Sequence, residues 1–115
     1  NTNLLINITN DAWFGKTIGP YQHLALAKIK AVEFGLPLAR VANTGISAYV
    51  SPYGEIIGKI SLYNKGVKTF NLIPALDNTL YKIYGEYIFI VLIFILLSIN
   101  TIYNINFKEE IFNEK

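Results

Sequence analysis

The spacing of apolar residues along this chain changes several times, and each spacing predicts a different kind of element. Asn3 to Thr9 form a short, nearly continuous apolar run, typical of a strand buried on both faces at the start of an α/β pattern. From Pro20 to about Phe34 apolar residues recur at helical intervals, and Leu26 and Ile29 widen the apolar face. Gly35 is a typical C-terminal cap of such a helix. The chain therefore begins with a strand, a loop and a helix.

Beyond the helix, turn residues alternate with short apolar runs, which is the pattern of successive strands. The predicted strands are Leu38 to Ala42, Ile46 to Ser51, Glu55 to Leu62 and Gly66 to Ile73. The turns between them are Asn43-Thr44-Gly45, Pro52-Tyr53-Gly54 and Tyr63-Asn64-Lys65. Residues 1–74 are thus expected to form part of an α/β layered domain. One helix covers only one face of its sheet, so we expect the other face to need a partner.

The composition changes abruptly near residue 86. Residues 75–86 are expected to be a linker, and residues 87–107 hold no charged side chain. About 20 helical residues cross the roughly 30 Å hydrocarbon core of a bilayer. Tyr84, Tyr87 and Tyr103 lie near the ends, where an interfacial aromatic belt is expected. The sequence predicts a transmembrane helix over 87–107 and a tail over 108–115. A buried core helix is the weaker alternative, because a chain of this size has too little mass to surround it.

Composition and charge narrow the class of protein. Of the 115 residues, 52% are hydrophobic and 16% are charged, so intrinsic disorder is excluded and a purely soluble domain is disfavoured. The net charge is +2 without a basic stripe, so nothing supports nucleic-acid binding. Cys is absent, which excludes a disulfide, a thiolate zinc site and a cysteine nucleophile within these residues. Because Met is also absent and Asn stands first, we expect a fragment of a longer product or a piece of a broken reading frame.

The residues directly after the first predicted strand are the best candidates for a binding site. Asn10, Asp11, Trp13 and Phe14 combine hydrogen-bonding groups with an aromatic wall. Loops at the carboxyl ends of strands form the ligand sites of open α/β sheets. Such a loop suits a substrate with a polar head and an apolar tail. A turn with its aromatic side chains in the core explains the same residues equally well.

Two stretches resemble a known family. NITNDAWFG and IGPYQHLALAKIKAVEFGLPLARVANTGISAYVSPYGEII are similar to the C-terminal part of the bacterial apolipoprotein N-acyltransferases, which belong to the nitrilase-like superfamily. The resemblance covers about residues 1–62. The positions that carry it are Thr9, Asn10 to Gly15, Gly19 to His23, Glu33, Arg40 and Asn43 to Gly45. Lys28 and Lys30 depart from it, because Arg is usual there.

The resemblance implies the C-terminal part of a nitrilase-like α-β-β-α sandwich in the periplasm, followed by one transmembrane helix. The protein would belong to the bacterial inner membrane, with its C-terminus in the cytoplasm. The implied enzyme moves an acyl chain from a phospholipid, through a Cys thioester, to the amino group of an apolipoprotein's diacylglyceryl-cysteine. Its implied partners are the phospholipid, the apolipoprotein, the lipid bilayer and the missing N-terminal part of the same enzyme. No cofactor and no metal site is expected.

The family's catalytic Glu, Lys and Cys precede the NDAWFG block, so no catalytic residue is assigned here. Glu33 is not promoted to general base, and the chain alone is expected to be inactive. The resemblance makes Asn10, Asp11, Trp13 and Phe14 candidates for lining the acyl-donor or acceptor pocket, and His23, Arg40 and Asn43 weaker ones. A structural ion pair is an equally good role for Arg40. Three alternatives stay open: a membrane-tethered nitrilase-like amidase, the remnant of a decayed gene, and one half of a split enzyme.

Overall fold

A computed structural model describes residues 2–113 of the chain, with side chains up to residue 104. The chain divides into two compact units, of which the first ends at Ile83 and the second starts at Tyr84. Four strands of the first unit form one sheet in sequence order: β1 (Leu5–Asn10), β2 (Leu38–Asn43), β3 (Ser47–Val50) and β4 (Ile56–Ile60). β1 and β2 are parallel and joined by the helix α1 (Gly19–Phe34), whereas β2, β3 and β4 form an antiparallel meander. The predicted mixed α/β order is confirmed.

The helix α1 begins and ends where the sequence predicts. Pro20 lies in the first turn, where its missing N–H removes no helical hydrogen bond. Gly35 adopts the left-handed conformation, with φ of 62°, and its N–H donates to the carbonyls of Ala31 and Val32. A Cβ at Gly35 would also lie only 2.8 Å from a Thr79 methyl group, so this glycine permits a close approach of the later chain.

The core lies between α1 and one face of the sheet. Its buried members are Leu24, Ala31, Leu38, Ile46, Ala48 and Val50. Leu26 and Ile29 do not widen this face as predicted, because they point away from the sheet and are 62% and 49% exposed. The side chains that α1 contributes to this core are Leu24 and Ala31.

The opposite face of the sheet is partly covered by residues 66–73. Phe70 stacks on Tyr49 with ring centroids 5.1 Å apart, and the Tyr49 hydroxyl accepts a hydrogen bond from the Ile73 amide at 3.0 Å. The predicted strand over Gly66 to Ile73 is wrong. This segment has no regular secondary structure and is not part of the sheet. It contacts β3 through Tyr49 and β4 through Gly58.

β1 leaves its side chains open on that same face. Ile6 and Ile8 are 68% and 79% exposed, and Val41 on the neighbouring β2 is 57% exposed. The prediction of a strand buried on both faces is therefore wrong for the described residues. The prediction of an uncovered sheet face is confirmed for the part formed by β1 and β2.

The predicted linker over 75–86 is partly folded. The Leu76 amide donates to the Gly35 carbonyl at 2.8 Å, and the Thr79 hydroxyl donates to the Glu33 carbonyl. A short helix, α2 (Leu80–Tyr84), follows. Residues 76–80 therefore form a strap that is bonded to the C-terminal end of α1.

The second unit consists of one long helix, α3 (Tyr87–Asn113). Its segment Tyr87–Asn104 has a mean hydropathy of 2.1, is long and apolar enough to cross a membrane, and buries none of its length within the molecule. The hydroxyls of Ser98 and Thr101 donate to carbonyls one turn earlier, each at 2.8 Å, so these polar groups are satisfied inside the helix, as a lipid environment requires. The helix continues into the predicted tail, whose last two residues lie outside the described part. The exact limits of the span stay a prediction.

Candidate functional site

Two asparagines meet at the carboxyl edge of the parallel strands. Asn10 ends β1, Asn43 ends β2, and the two are direct partners in the parallel register. Asn43 Nδ2 donates to Asn10 Oδ1 at 3.1 Å, and the same oxygen accepts the backbone N–H of Ala12 at 3.1 Å. Both asparagines are exposed. The predicted loop site therefore has an accessible pair of amide side chains at its edge.

Asp11 points into the molecule, not toward this edge. Its carboxylate oxygens lie 2.9 and 3.1 Å from Nη2 of Arg40, and both side chains are fully buried. The attraction between opposite charges compensates for their removal from water only while both partners are present. The structural ion pair considered for Arg40 is thus present.

Arg40 has a second partner that sequence reasoning missed. Its Nη1 donates to Oδ1 of Asn7 at 2.5 Å, and the two residues face each other in the β1–β2 register. Nε of Arg40 is buried without a hydrogen-bond partner among the described residues. Asn7 could have indicated this contact, since it is an amide in the middle of an apolar strand and a buried amide needs a hydrogen-bond partner.

His23 joins the ion pair from the first turns of α1. Its Nδ1 lies 2.8 Å from Oδ1 of Asp11 and 3.2 Å from Nη2 of Arg40. A guanidinium can only donate and a carboxylate can only accept, so the shorter contact assigns a proton to Nδ1, which donates to Asp11. In the neutral ring the second nitrogen is then an acceptor. The side chain is 32% exposed, so the ring connects the buried pair with solvent.

Gly45 makes room for the Asp11 carboxylate. A Cβ built on Gly45 would lie 2.1 Å from Oδ2 of Asp11. The preceding Thr44 has a φ of 58°, a left-handed conformation that a β-branched residue rarely adopts. The turn after β2 therefore closes tightly over the end of the β1 loop, and no larger residue fits at position 45 without displacing the carboxylate.

The two aromatic residues of the loop have different surroundings. Ala12–Phe14 form one turn of 3₁₀ helix. Phe14 meets the His23 ring edge-on at 5.6 Å, and its ring leaves no space for a Cβ on Gly19. Trp13 is 89% exposed. Phe14 is 39% exposed, so the alternative with the aromatic side chains in the core holds for neither residue.

The structure brings the seven predicted site residues into one neighbourhood but splits them by accessibility. Asn10, Trp13, Phe14 and Asn43 are exposed, and His23 is half-buried. Asp11 and Arg40 present no surface to a ligand in this arrangement. Within the part of the chain that the structure describes, no three His, Cys, Asp or Glu side chains are grouped so as to hold a metal ion.

The chain is similar to known proteins over most of its length. A family model described as carbon-nitrogen hydrolase matches residues 1–79. An apolipoprotein N-acyltransferase of Rickettsia prowazekii (strain Madrid E) is 46% identical in an alignment 104 residues long, and the match covers 84% of this chain and 21% of that protein. Proteins of the same name from Rickettsia bellii and Bradyrhizobium diazoefficiens are 43% and 45% identical over 99 and 82 residues, covering 84% and 71% of this chain. These matches span 20% and 15% of the two relatives, so the chain corresponds to only about a fifth or less of each.

Proposed function

The chain belongs to the carbon-nitrogen hydrolase family, and on that premise we propose that it is part of an apolipoprotein N-acyltransferase. The observation that carries the proposal is its identity of 43–46% with proteins of that name over most of the chain. The proposed substrates are a phospholipid acyl donor and an apolipoprotein whose terminal residue is diacylglyceryl-cysteine.

The proposed reaction requires a nucleophile that these 115 residues lack, since they contain no Cys. A Cys thiolate in another part of the enzyme attacks an ester carbonyl of the phospholipid, forms a thioester and releases the lysophospholipid. The free amine of the apolipoprotein then attacks the thioester carbonyl and loses a proton as the amide forms. The Cys leaves as a thiolate and is ready for the next cycle. Dividing the transfer into two steps is the usual benefit of covalent catalysis.

The residues of this chain form one wall of the proposed substrate pocket. The amide groups of Asn10 and Asn43 offer hydrogen bonds to polar parts of the substrates, and both lie at the sheet edge where such ligands bind. Trp13 and Phe14 offer apolar surface to an acyl chain.

The open face of the sheet fits a partner that belongs to the same enzyme. Ile6, Ile8 and Val41 form an apolar stripe on β1 and β2. Burying one such side chain contributes roughly 1.5–3 kcal/mol, and parallel strands are normally covered on both faces. The rest of the enzyme, in the proposed α-β-β-α sandwich, supplies the covering layer.

The helix α3 supports a membrane location for the proposed enzyme. Its apolar stretch and its internally bonded hydroxyls suit lipid, and tyrosines at positions 84, 87 and 103 suit the two interfaces. We place it in the bacterial inner membrane, with the α/β unit in the periplasm and the C-terminus in the cytoplasm.

A chimeric enzyme tests the proposal. The matching segment of the Rickettsia prowazekii relative is replaced by this chain, and the purified chimera is supplied with phospholipid and a diacylglyceryl-cysteine peptide. We expect the N-acylated peptide, identified by mass spectrometry. The control is the same chimera with its nucleophilic Cys changed to Ala, which should give no product. A folded chimera that forms no N-acyl peptide would contradict the proposal, and hydrolysis of a supplied amide in place of acyl transfer would favour an amidase.

A further inference from the structure

We propose that Asp11, Arg40 and His23 form a clamp that positions the turn carrying Trp13, and that the buried Asp11 and Arg40 act without contacting the substrate. This inference deepens the proposed function, because it assigns positioning roles around the same site. Its first test is independent of activity.

Three elements converge on the Asp11 carboxylate. Asp11 directly precedes the 3₁₀ turn, Arg40 comes from the middle of β2, and His23 comes from α1. The carboxylate receives a guanidinium at 2.9 Å and the ring nitrogen at 2.8 Å. The Asp11 backbone is fixed as well, since its N–H donates to the Asn43 carbonyl at 3.0 Å. The beginning of the turn is therefore held from its side chain and its main chain.

The end of the turn is fixed by the same histidine. The His23 ring meets Phe14 edge-on, and the Phe14 carbonyl accepts the Thr17 hydroxyl at 2.7 Å. The Phe14 N–H in turn donates to the Asp11 carbonyl at 3.1 Å. His23 thus contacts both ends of a turn of three residues.

Trp13 lies between these two fixed points and is exposed over 89% of its surface. A large aromatic side chain on an ordered backbone binds a partner without an additional cost of ordering the loop. The burial and mutual neutralisation of Asp11 and Arg40 suit this positioning role, because groups without accessible surface cannot bind a ligand directly.

Because Trp13 is the single Trp of the chain, its fluorescence reports on this turn alone. The measurement is time-resolved anisotropy of the full chain in detergent, which resolves nanosecond motion of the indole. His23→Phe keeps a ring beside Phe14 but removes the donor to Asp11. His23→Asn places an amide N–H where Nδ1 stands and keeps that donor. Leu26→Ala, at an exposed position on the same helix, is the matched control.

We expect His23→Phe to lose much of the slow anisotropy component of Trp13, with the far-UV circular dichroism unchanged. Leu26→Ala should keep the wild-type decay. His23→Asn keeps the donor to Asp11 but loses the ring beside Phe14, so it should lose clearly less of the slow component than His23→Phe. The clamp would be overturned if His23→Phe left the decay unchanged, or if His23→Asn released the indole as much as His23→Phe does. Asp11→Asn is a second variant, and where it stays folded it should mobilise the indole at least as strongly as His23→Phe.

The activity of the chimeric enzyme distinguishes a positioning role of His23 from a role in stability alone. Misplacing a contact group by about 1 Å costs on the order of 100-fold in rate. His23→Phe should therefore lower kcat/KM by about that factor at a temperature where the chimera is fully folded, and His23→Asn should restore most of it. Unchanged kcat/KM in His23→Phe would overturn the positioning role. A chimera inactive with the wild-type segment would instead refute the proposed function, while the anisotropy result would still decide whether the clamp exists.

Discussion

Asp11 and Arg40 form an ion pair in which Oδ2 and Nη2 are 2.9 Å apart and both side chains are fully buried. The two residues are 29 positions apart in sequence, and each lies in one of the two stretches that resemble the N-acyltransferases. The pair thereby ties the loop after β1 to the strand β2. What looks in the sequence like two separate motifs is one packed cluster in the fold.

Loss of the Asp11 charge should destabilise the first unit strongly. In Asp11→Asn the Arg40 guanidinium stays buried without a counter-charge, which costs about 3–5 kcal/mol of unfolding free energy. Urea denaturation of the full chain in detergent measures this. The matched control is Glu33→Gln, which breaks the exposed Lys30–Glu33 pair on α1 and should cost about 0.5 kcal/mol or less. Equal costs for the two variants would show that the buried pair is not stabilising.

Gly45→Ala should be destabilising although Ala differs from Gly by one methyl group. The added Cβ would lie 2.1 Å from the Asp11 carboxylate, so the carboxylate or the turn must move, at about 1–3 kcal/mol. Gly66→Ala is the control, because its nearest neighbour, an Ile60 methyl carbon, is 3.6 Å from the added Cβ. Thermal unfolding should give a lower midpoint for Gly45→Ala only. Equal midpoints would mean that the cluster adapts to the methyl group.

Ile8→Lys should leave the stability of the isolated chain almost unchanged but prevent the chimera from folding into an active enzyme. Ile8 is 79% exposed on the open sheet face, so this change should alter the unfolding free energy of the chain by no more than about 0.5 kcal/mol. In the chimera the same Lys would be buried without a partner, and we expect little folded, active enzyme. Val67→Lys, at a position 93% exposed, should be tolerated in both. A fully active Ile8→Lys chimera would contradict the proposed covering layer.

Thr79→Val should loosen the strap without disturbing the sheet. The Thr79 hydroxyl donates to the Glu33 carbonyl and accepts the Lys82 amide at 3.0 Å, and a lost cap of this kind costs about 1 kcal/mol. Hydrogen exchange at the Ile83 amide, which donates to the Thr79 carbonyl, should accelerate, while amides of β2 should not change. Asn78→Ala at the exposed neighbouring position is the control. Unchanged exchange at Ile83 would show that the hydroxyl does not hold the strap.

The fold was predictable where local signals are strong. Pro20 and Gly35 mark the ends of α1 because their backbone requirements are local. The strand predicted over 66–73 was wrong because a segment that packs against a sheet through its side chains has the same residue preferences as a strand that pairs with it. The apolar run at Ile6 and Ile8 was wrongly expected to be buried on both faces, since nothing among the described residues covers that side.

The site was predictable in its position but not in its internal order. The loop that starts at Asn10 was expected at the carboxyl end of the first strand, and the structure has it there. That Asn43 lies beside Asn10 follows from the parallel pairing of β1 and β2, which the sequence analysis did not predict. The inward direction of Asp11 depends on Arg40 and on the space left by Gly45, which are contacts over long sequence distances. Residue type alone does not distinguish a carboxylate that binds a ligand from one that holds a loop.

The donor half-reaction of the chimera shows whether this chain works as part of an N-acyltransferase. The chimera is incubated with a phospholipid that carries an isotopically labelled acyl chain, and its intact mass is then measured. We expect a mass increase of one labelled acyl group, which hydroxylamine removes and which a diacylglyceryl-cysteine peptide takes up as an amide. A folded chimera that never acquires the label, or whose label is not passed to the peptide, would contradict the assignment to the N-acyltransferases.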